Sequence, residues 1–223
     1  MNLFGFVIEN GKISPDDEKV KCIKELEIPT TKSKVKALLG LIGYYSHMIP
    51  AFQEKAYPLT ELLKKNQPEK VNWGPAQQRS FETLKQCMIN KPILSPPVPS
   101  KPYILQTDAS RSSVSAILAQ RSNEGHVVVI SYASRKLLPR ETKYSVIELE
   151  LLAVILGVTK FHHLLYGAKI ILQSDHKALS YLNTLLDHSP RLARWHLILS
   201  NYNIEMTYKK GKENSNVDGL SRL

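Results

Sequence analysis

Four acidic residues in the second half of the chain stand beside apolar runs, where an unpaired charge is expensive to bury. They are Asp108 after YILQT, Glu150 within SVIELELLAVILGV, Asp175 after KIILQS and Asp218 within NVDGLS. Clustered carboxylates repel one another, and a hard divalent cation such as Mg²⁺ relieves the repulsion through oxygen ligands. Two such ions about 3.5–4 Å apart can stabilise the attacking and leaving oxygens of a phosphodiester displacement. The alternative is that the two strand-end aspartates form turns and that Asp218 faces solvent.

The helix expected around residue 150 contains a second glutamate. Glu148 and Glu150 lie about 200° apart around a helix, so they cannot share one face. Glu150 shares its face with small residues suited to packing on a sheet, whereas Glu148 shares its face with larger aliphatic residues. Periodicity alone therefore leaves open which glutamate points toward a site.

The composition favours a polyanionic partner and excludes several other classes of protein. The 223 residues carry 30 Lys and Arg against 20 Asp and Glu, a net charge of +10. A balance of this sign favours nucleic acid. Two cysteines, Cys22 and Cys87, exclude a disulfide framework and a cysteine zinc site. The longest apolar run, 151–158, is too short for a membrane span, and the N-terminus lacks a signal peptide's basic segment. We therefore expect an intracellular protein that is neither secreted nor embedded in a membrane.

A proline-rich segment divides the chain into two halves. Residues 91–102, KPILSPPVPSKP, contain five prolines and favour an extended, semi-stiff linker. Residues 1–90 read as helices, the first of them capped by Ser14 in a capping box, SPDD. Residues 103–223 alternate strands and helices, which predicts an α/β fold with a mixed five-stranded sheet flanked by helices.

The expected elements of both halves follow from apolar periodicity and turn residues. If the strands that end at Asp108 and Asp175 are neighbours at the sheet centre, their carboxylates come together. After the first helix, the expected helices are one that carries Val35 to Ile42, then 57–65, 75–90, 145–166, 176–187 and 190–200, and a short helix at the C-terminus. The expected strands are 103–107, 114–120, 126–133, 169–174 and 203–208.

The second half resembles the ribonuclease H domain of gypsy-class LTR-retrotransposon reverse transcriptases. The first half resembles the thumb and connection segment that joins the polymerase palm to that domain. The resemblance implies an α/β chain with a helical connection segment, a Pro-rich linker and a ribonuclease H-like domain, at 1–90, 91–102 and 103–223. The matching segments are ILQTDAS (104–110), VISYASRKLLPRETKYSVIELELLAV (129–154), LQSDHKALSYL (172–182), RLARWHLILSNYNIEMTYKKGKENS (191–215) and NVDGLSR (216–222), preceded by FGFVIENGKISPDDEKVKCI, LLGLIGYYSHMIPAF and PLTELLKK.

The resemblance also implies a set of catalytic residues. The family's four catalytic acids fall on Asp108, Glu150, Asp175 and Asp218, so the resemblance, unlike helical geometry, selects Glu150 over Glu148. In such enzymes the first aspartate bridges two Mg²⁺ ions, the glutamate and second aspartate complete one metal site, and the last aspartate serves the other. The implied enzyme is a ribonuclease H, a hydrolase that cuts the RNA strand of an RNA–DNA hybrid and leaves a 3′-hydroxyl and a 5′-phosphate. Two Mg²⁺ ions are its expected cofactor, with Mn²⁺ as a substitute.

Two features bear on how the chain meets nucleic acid and on whether it is active. Lys209, Lys210 and Lys212 in YKKGKEN are candidates for phosphate contacts, against the alternative of plain solvated surface. Similar domains carry two glycines where this chain has Ser113 and Ser115. The second hypothesis is accordingly a catalytically silent, retroelement-derived module that binds nucleic acid or protein.

A polymerase motif of the YxDD type is absent before the first helix. RNA-directed DNA polymerase activity is therefore not expected from this chain alone. The polymerase part of a reverse transcriptase is an expected partner, besides the RNA–DNA hybrid. The expected setting is a retroelement particle in the cytoplasm, or the nucleus.

Overall fold

The first fifteen residues form a small antiparallel sheet where the sequence predicted only helices. The computed structural model describes residues 1–174 and 190–208. Strands β1 (Asn2–Leu3), β2 (Phe6–Glu9) and β3 (Lys12–Pro15) pair in that order. Asn10 and Gly11, both with positive φ, make the two-residue turn between β2 and β3, the Asn-Gly pattern that favours a tight hairpin.

The predicted cap of the first helix is wrong by two residues. Ser14 lies in β3, opposite Val7 of β2, so sheet pairing outweighs its local capping pattern. Helix α1 (Asp17–Lys24) is capped instead by Asp16, whose carboxylate accepts a hydrogen bond from the Glu18 amide at 3.0 Å.

Three further helices complete the first half. They are α2 (Lys32–Tyr44), α3 (Phe52–Glu61) and α4 (Pro75–Ile89). Helix α4 has its predicted bounds to within a residue. Helix α3 begins five residues earlier than predicted, because Phe52 and Ala56 extend the buried stripe of Leu59 toward the N-terminus, and Pro58 is accommodated inside the helix.

The second half contains the mixed five-stranded sheet that the sequence predicted. Its order is β6-β5-β4-β7-β8. The first three strands pair antiparallel, and β7 joins β4 and β8 joins β7 in parallel. Strands 103–107 and 169–174 are thus neighbours in the middle of the sheet, as expected. The strands are β4 (Tyr103–Ala109), β5 (Ser113–Arg121), β6 (Val127–Lys136), β7 (Lys169–Ser174) and β8 (Asn203–Tyr208).

Helix α5 (Val146–Lys160) covers one face of this sheet, with α7 (Pro190–Leu199) beside it. The predicted helix 145–166 is interrupted at Phe161, which leaves helical geometry with its ring buried, and α6 (His162–Leu165) follows as a separate turn. Among the described residues no helix is long and apolar enough to cross a membrane. The predicted helices at 176–187 and at the C-terminus lie outside the described residues.

The helices of the first half pack against the opposite face of the sheet. Ile117, Val129 and Tyr132 of β5 and β6 join their hydrophobic cluster. The proline-rich segment is also held on the sheet, since the buried Gln120 side chain hydrogen-bonds the backbone of Val98 and Lys101 at 2.9 Å. The division of the chain into 1–90, 91–102 and 103–223 stays a prediction.

Candidate active site

The chain topology brings three elements to one end of the five-stranded sheet, here called the carboxyl end. Strands β4 and β7 run in parallel and finish there, at Ala109 and Ser174. Strand β6 is antiparallel to β5, so it also finishes there, and α5 begins after the short connection that follows. The carboxyl ends of two central parallel strands and the N-terminus of a covering helix therefore meet in one region.

Asp108 lies at the carboxyl end of the sheet. It is the last residue but one of β4, whereas the sequence placed it just after the strand, and its side chain is exposed. Its partner across the antiparallel ladder is Ser115, whose hydroxyl lies 3.5 Å from the Asp108 carbonyl oxygen. Backbone pairing on the β5 side therefore fixes the main chain of Asp108 and leaves its carboxylate at the surface.

Serine hydroxyls tie together the turn after Asp108. The Ser110 Oγ accepts hydrogen bonds from the amides of Ser112 at 3.3 Å and Ser113 at 3.0 Å. The buried Ser113 Oγ lies 3.2 Å from the same oxygen. Serine at positions 113 and 115, where glycine was expected, is thus accommodated by hydrogen bonding in the turn and at the ladder.

Glu150 lies on the face of α5 that meets the sheet. Gly157, on the same face, packs against Leu105 of β4 and Ala116 of β5. Glu150 is two turns nearer the start of α5, about 10.5 Å along its axis, and Asp108 is three residues, about 10 Å, further along β4 than Leu105. Both offsets run toward the carboxyl end, so both residues lie at that end of the sheet, with Glu150 only 7% exposed.

Glu148 has a structural role, which bears on a choice between the two glutamates that periodicity alone left open. Its Oε2 accepts hydrogen bonds from the Ser145 amide at 2.9 Å and the Ser145 hydroxyl at 3.1 Å, closing a capping box at the start of α5. Its Oε1 pairs with Arg191 of α7 at 2.7 Å. Both oxygens of Glu148 therefore hold structure together, which favours Glu150 as the glutamate that serves a site.

The connection between β6 and α5 is anchored by an ion pair. Arg135 binds both oxygens of the buried Glu141, and the Leu138 amide donates to the same carboxylate at 2.8 Å. Burial by itself would raise the pKa of Glu141, but these hydrogen bonds and the charge of Arg135 outweigh it and lower the pKa. Glu141 is thus held as a carboxylate that fixes the approach to α5.

One buried polar atom near the carboxyl end lacks a hydrogen-bond partner within the described part of the chain. This is the Oγ1 of Thr107, which precedes Asp108 in β4. A buried hydroxyl without a partner is uncommon in folded proteins.

The other predicted site residues cannot be placed in this way. Asp175, Asp218, Lys209, Lys210 and Lys212 lie outside the described residues. Across residues 1–174 and 190–208, no group of three or more His, Cys, Asp or Glu side chains is arranged to hold a metal ion. The described acids, Asp108 and Glu150, supply only hard oxygen donors, which suits Mg²⁺ better than a softer metal.

Sequence reasoning missed a group of basic side chains around the carboxyl end. Arg111 is exposed in the turn between β4 and β5, and Arg140 and Lys143 are exposed in the connection that leads to α5. Each follows a strand that ends at the site, a positional signal that is weaker in the sequence than the denser lysine run after residue 208.

Comparison with known proteins shows which family this part of the chain resembles. Residues 98–202 match the model of the RNase H-like domain found in reverse transcriptase. The whole chain is 40% identical to the retrovirus-related Pol polyprotein from transposon 297 of Drosophila melanogaster, of which it covers 20%. It is 31% identical over its full length to the transposon Tf2-3 polyprotein of Schizosaccharomyces pombe, covering 17% of that protein. The chain thus spans about a fifth of the length of these relatives.

Solved structures share the fold. The foamy viral protease-reverse transcriptase in complex with RNA/DNA hybrid aligns with 95% of this chain and 29% of its own, at a TM-score of 0.77 and 21% identity. The same protein in complex with dsDNA aligns with 95% of this chain and 45% of its own, at a TM-score of 0.79. Residues 98–202 therefore form an RNase H-like domain of reverse transcriptase, in a chain whose homologues are retrotransposon Pol polyproteins.

Proposed function

We propose that this chain is the ribonuclease H part of a gypsy-class LTR-retrotransposon reverse transcriptase and cuts the RNA strand of RNA–DNA hybrids in a metal-dependent reaction. The observation that supports the proposal is that β4 ends, just beyond Asp108, and α5 begins, just before Glu150, at the same end of the sheet. Asp175 directly follows Ser174, the last residue of β7, in the sequence. A site that needs carboxylates from three elements would draw them from this region.

The proposed roles are those that the family resemblance implies for these four residues. Asp108, exposed near the end of its strand, would help to hold the cations beside the scissile phosphate. Glu150, buried on α5, and Asp175 would complete one cation site, and Asp218 the other. Mg²⁺ bound by these carboxylates would supply an activated water and neutralise charge on the phosphate. Cleavage would leave a 3′-hydroxyl and a 5′-phosphate, and Mn²⁺ would substitute for Mg²⁺.

Charge supports a nucleic-acid substrate. The chain carries a net charge of +10, and Arg111, Arg140 and Lys143 place part of that charge beside the candidate site. Positive side chains in this position would bind phosphates flanking the cut, with an affinity that falls as salt rises. Lys209, Lys210 and Lys212 remain proposed phosphate contacts. The polymerase part of a reverse transcriptase is a proposed partner.

The test is cleavage of a labelled RNA–DNA hybrid in Mg²⁺, with EDTA, with Mn²⁺, and with double-stranded RNA as a competing substrate. Asp108→Asn and Glu150→Gln should each lower the cleavage rate at least 100-fold, because each removes a charge from the proposed cation site. Asp16→Asn is the matched control, since asparagine caps a helix as well as aspartate does and Asp16 lies at the start of α1. It should cut at the wild-type rate.

Three outcomes would count against the proposal. Cleavage that survives EDTA would exclude a metal-dependent site, and Asp108→Asn cutting at the Asp16→Asn rate would exclude the assigned residue. A folded wild-type chain that binds hybrid without cutting it, even with the polymerase part supplied, would favour the silent binding module instead.

A further inference from the structure

Arg191, at the start of α7, binds the N-terminus of α5 through two contacts. Its Nη1 pairs with Glu148 Oε1 at 2.7 Å. Its guanidinium carbon lies 3.9 Å from the centre of the Tyr144 ring, so the planar cation stacks on an aromatic face. Trp195, one turn further along α7, also lies beside Tyr144, with the two ring centroids 6.1 Å apart.

The contacts of Arg191 continue into the cap of α5. Glu148 uses its second oxygen to bind Ser145, and the Ser145 hydroxyl in turn accepts the Glu148 amide at 3.3 Å. Arg191 therefore holds both the residue before the cap, Tyr144, and the residue that closes it. A side chain from a separate element that binds on both sides of a helix start fixes the axial position and rotation of that start.

Glu150 lies two residues beyond Glu148, in the same first turns of α5. The connection before α5 is also held by Arg135, which binds Glu141. The start of α5 is thus anchored both from β6 and from α7. Arg191 acts closer to Glu150 than Arg135 does, because it binds Glu148, two residues away, whereas Arg135 binds Glu141.

We propose that Arg191 is a positioning residue that sets the placement of Glu150 at the carboxyl end of the sheet, and thereby the affinity of the site for divalent cations. The inference rests on the proposed function. Arg191 touches neither substrate nor metal in this proposal, because it acts through Glu148 and Tyr144. Supporting residues of this kind typically change metal affinity 10–100-fold when they are replaced.

The sign of the effect separates positioning from simple electrostatics. Removing a positive charge near a cation site should strengthen cation binding by Coulomb's law. Loss of a positioning contact should weaken it. Arg191→Gln therefore moves Mn²⁺ affinity in opposite directions under the two explanations, and the measurement needs no substrate.

The experiment is Mn²⁺ binding by isothermal titration calorimetry on the full chain, with thermal unfolding of every variant. We expect Arg191→Gln to weaken Mn²⁺ binding about 10-fold or more. Arg191→Lys should recover only part of that loss, because an ammonium cannot stack on Tyr144 as a guanidinium does. Arg194→Gln is the matched control: Arg194 lies on the same helix outside these contacts, its replacement changes the charge equally, and it should bind Mn²⁺ as the wild type does.

A second variant covers the case in which Arg191→Gln fails to fold. Glu148→Gln keeps a side chain that can close the capping box but loses the charge that Arg191 binds. It should weaken Mn²⁺ binding, and the Arg191→Gln, Glu148→Gln double variant should lose less than the sum of the single losses, since both remove one contact. Strictly additive losses would overturn the inference.

The failure of this inference can be told from failure of the proposed function. If Asp108→Asn binds Mn²⁺ like the wild type, the cation site itself is wrongly placed. If Asp108→Asn weakens binding while Arg191→Gln binds as tightly as Arg194→Gln or more tightly, the site stands and the positioning role of Arg191 is overturned.

Discussion

Arg135 and Glu141 form a bidentate ion pair across the bend that leads from β6 to α5, with Nη1–Oε2 at 2.6 Å and Nη2–Oε1 at 3.0 Å. The Glu141 side chain is 6% exposed and that of Arg135 is 35% exposed. The carboxylate also accepts the Leu138 amide. Three charge-assisted hydrogen bonds thus hold one nearly buried carboxylate, and they fix the connection that precedes the candidate site.

This pair predicts a pH-dependent contribution to stability. Burial opposes ionisation of Glu141, but its hydrogen bonds and the charge of Arg135 prevail, so its folded-state pKa lies below the ordinary 4.5. A depressed carboxyl pKa stabilises the fold above the unfolded-state pKa, and that stability is lost as pH falls through the folded-state pKa. Glu141→Gln should therefore reduce the free energy of unfolding by about 1.5–3 kcal/mol at neutral pH.

Urea unfolding of wild type and Glu141→Gln across a pH series measures this difference. The gap between the two proteins should be widest at about pH 7 and should narrow as the pH falls below 4.5 and through the lowered folded-state pKa of Glu141. Glu124→Gln, in the exposed turn between β5 and β6, should leave stability unchanged throughout. A gap that stays constant from neutral to acid pH would show that the ionised carboxylate is not the source.

A buried amide pair predicts a second effect on stability. The Gln106 Nε2 donates to the Gln173 Oε1 at 2.9 Å across the parallel β4–β7 pair, and both side chains are buried. Gln106→Leu would leave the Gln173 amide without this donor, at a cost of about 1–3 kcal/mol. Replacing both residues by leucine should be less harmful than the single change. Chemical unfolding of the three variants tests this, and a double variant less stable than Gln106→Leu would contradict it.

Local sequence patterns determine much of this fold. The β-branched runs KIILQS and NIEMTY predict β7 and β8 at their observed bounds, and the proline at position 75 marks the start of α4. Asp108 at a strand end and a helix around Glu150 also follow from pattern alone. These features depend on neighbours close in the chain, where propensity and periodicity carry the information.

Features that depend on distant residues could not be predicted. Ser14 fits a capping box locally, but its pairing with Val7 places it in a strand. The cap formed by Glu148 is local, yet its engagement by Arg191, 43 residues away, is not encoded in any nearby pattern. The choice between the two glutamates of α5 needed either a family resemblance or that long-range contact.

The proline-rich segment provides a third prediction. The Gln120 side chain binds it as a strand backbone would, accepting from the Val98 amide and donating to the Val98 and Lys101 carbonyls, each at 2.9 Å. Gln120→Leu should release this segment, so that hydrogen exchange of the Val98 amide becomes faster. The Ser95 amide, which binds the Val129 carbonyl at 2.8 Å, is the internal control and should keep its protection. Equal protection of Val98 in both proteins would contradict the docking role of Gln120.

The contact between α5 and the sheet gives a fourth prediction, from a matched pair of helical glycines. A Cβ on Gly157 would lie 2.9 Å from the Leu105 Cδ1 and 3.2 Å from the Ala116 Cβ, both in the core. Leu105 can turn only into packed neighbours, and Ala116 is fixed by its strand. Gly157→Ala should therefore cost about 1–3 kcal/mol through overpacking, despite the gain in helix propensity.

Gly40 of α2 offers the opposite case, because a methyl group added there would have no described atom within 4 Å beyond its own helix backbone and chain neighbours. Gly40→Ala should raise stability by about 0.5–1 kcal/mol from propensity alone. Thermal unfolding of both variants should therefore shift the midpoint in opposite directions. Because α5 carries Glu150, a displaced α5 should also weaken Mn²⁺ binding in Gly157→Ala and leave it unchanged in Gly40→Ala. If both substitutions stabilise the protein equally, α5 does not pack on the sheet as closely as Gly157 indicates, and the axial placement of Glu150 inferred from that contact is wrong.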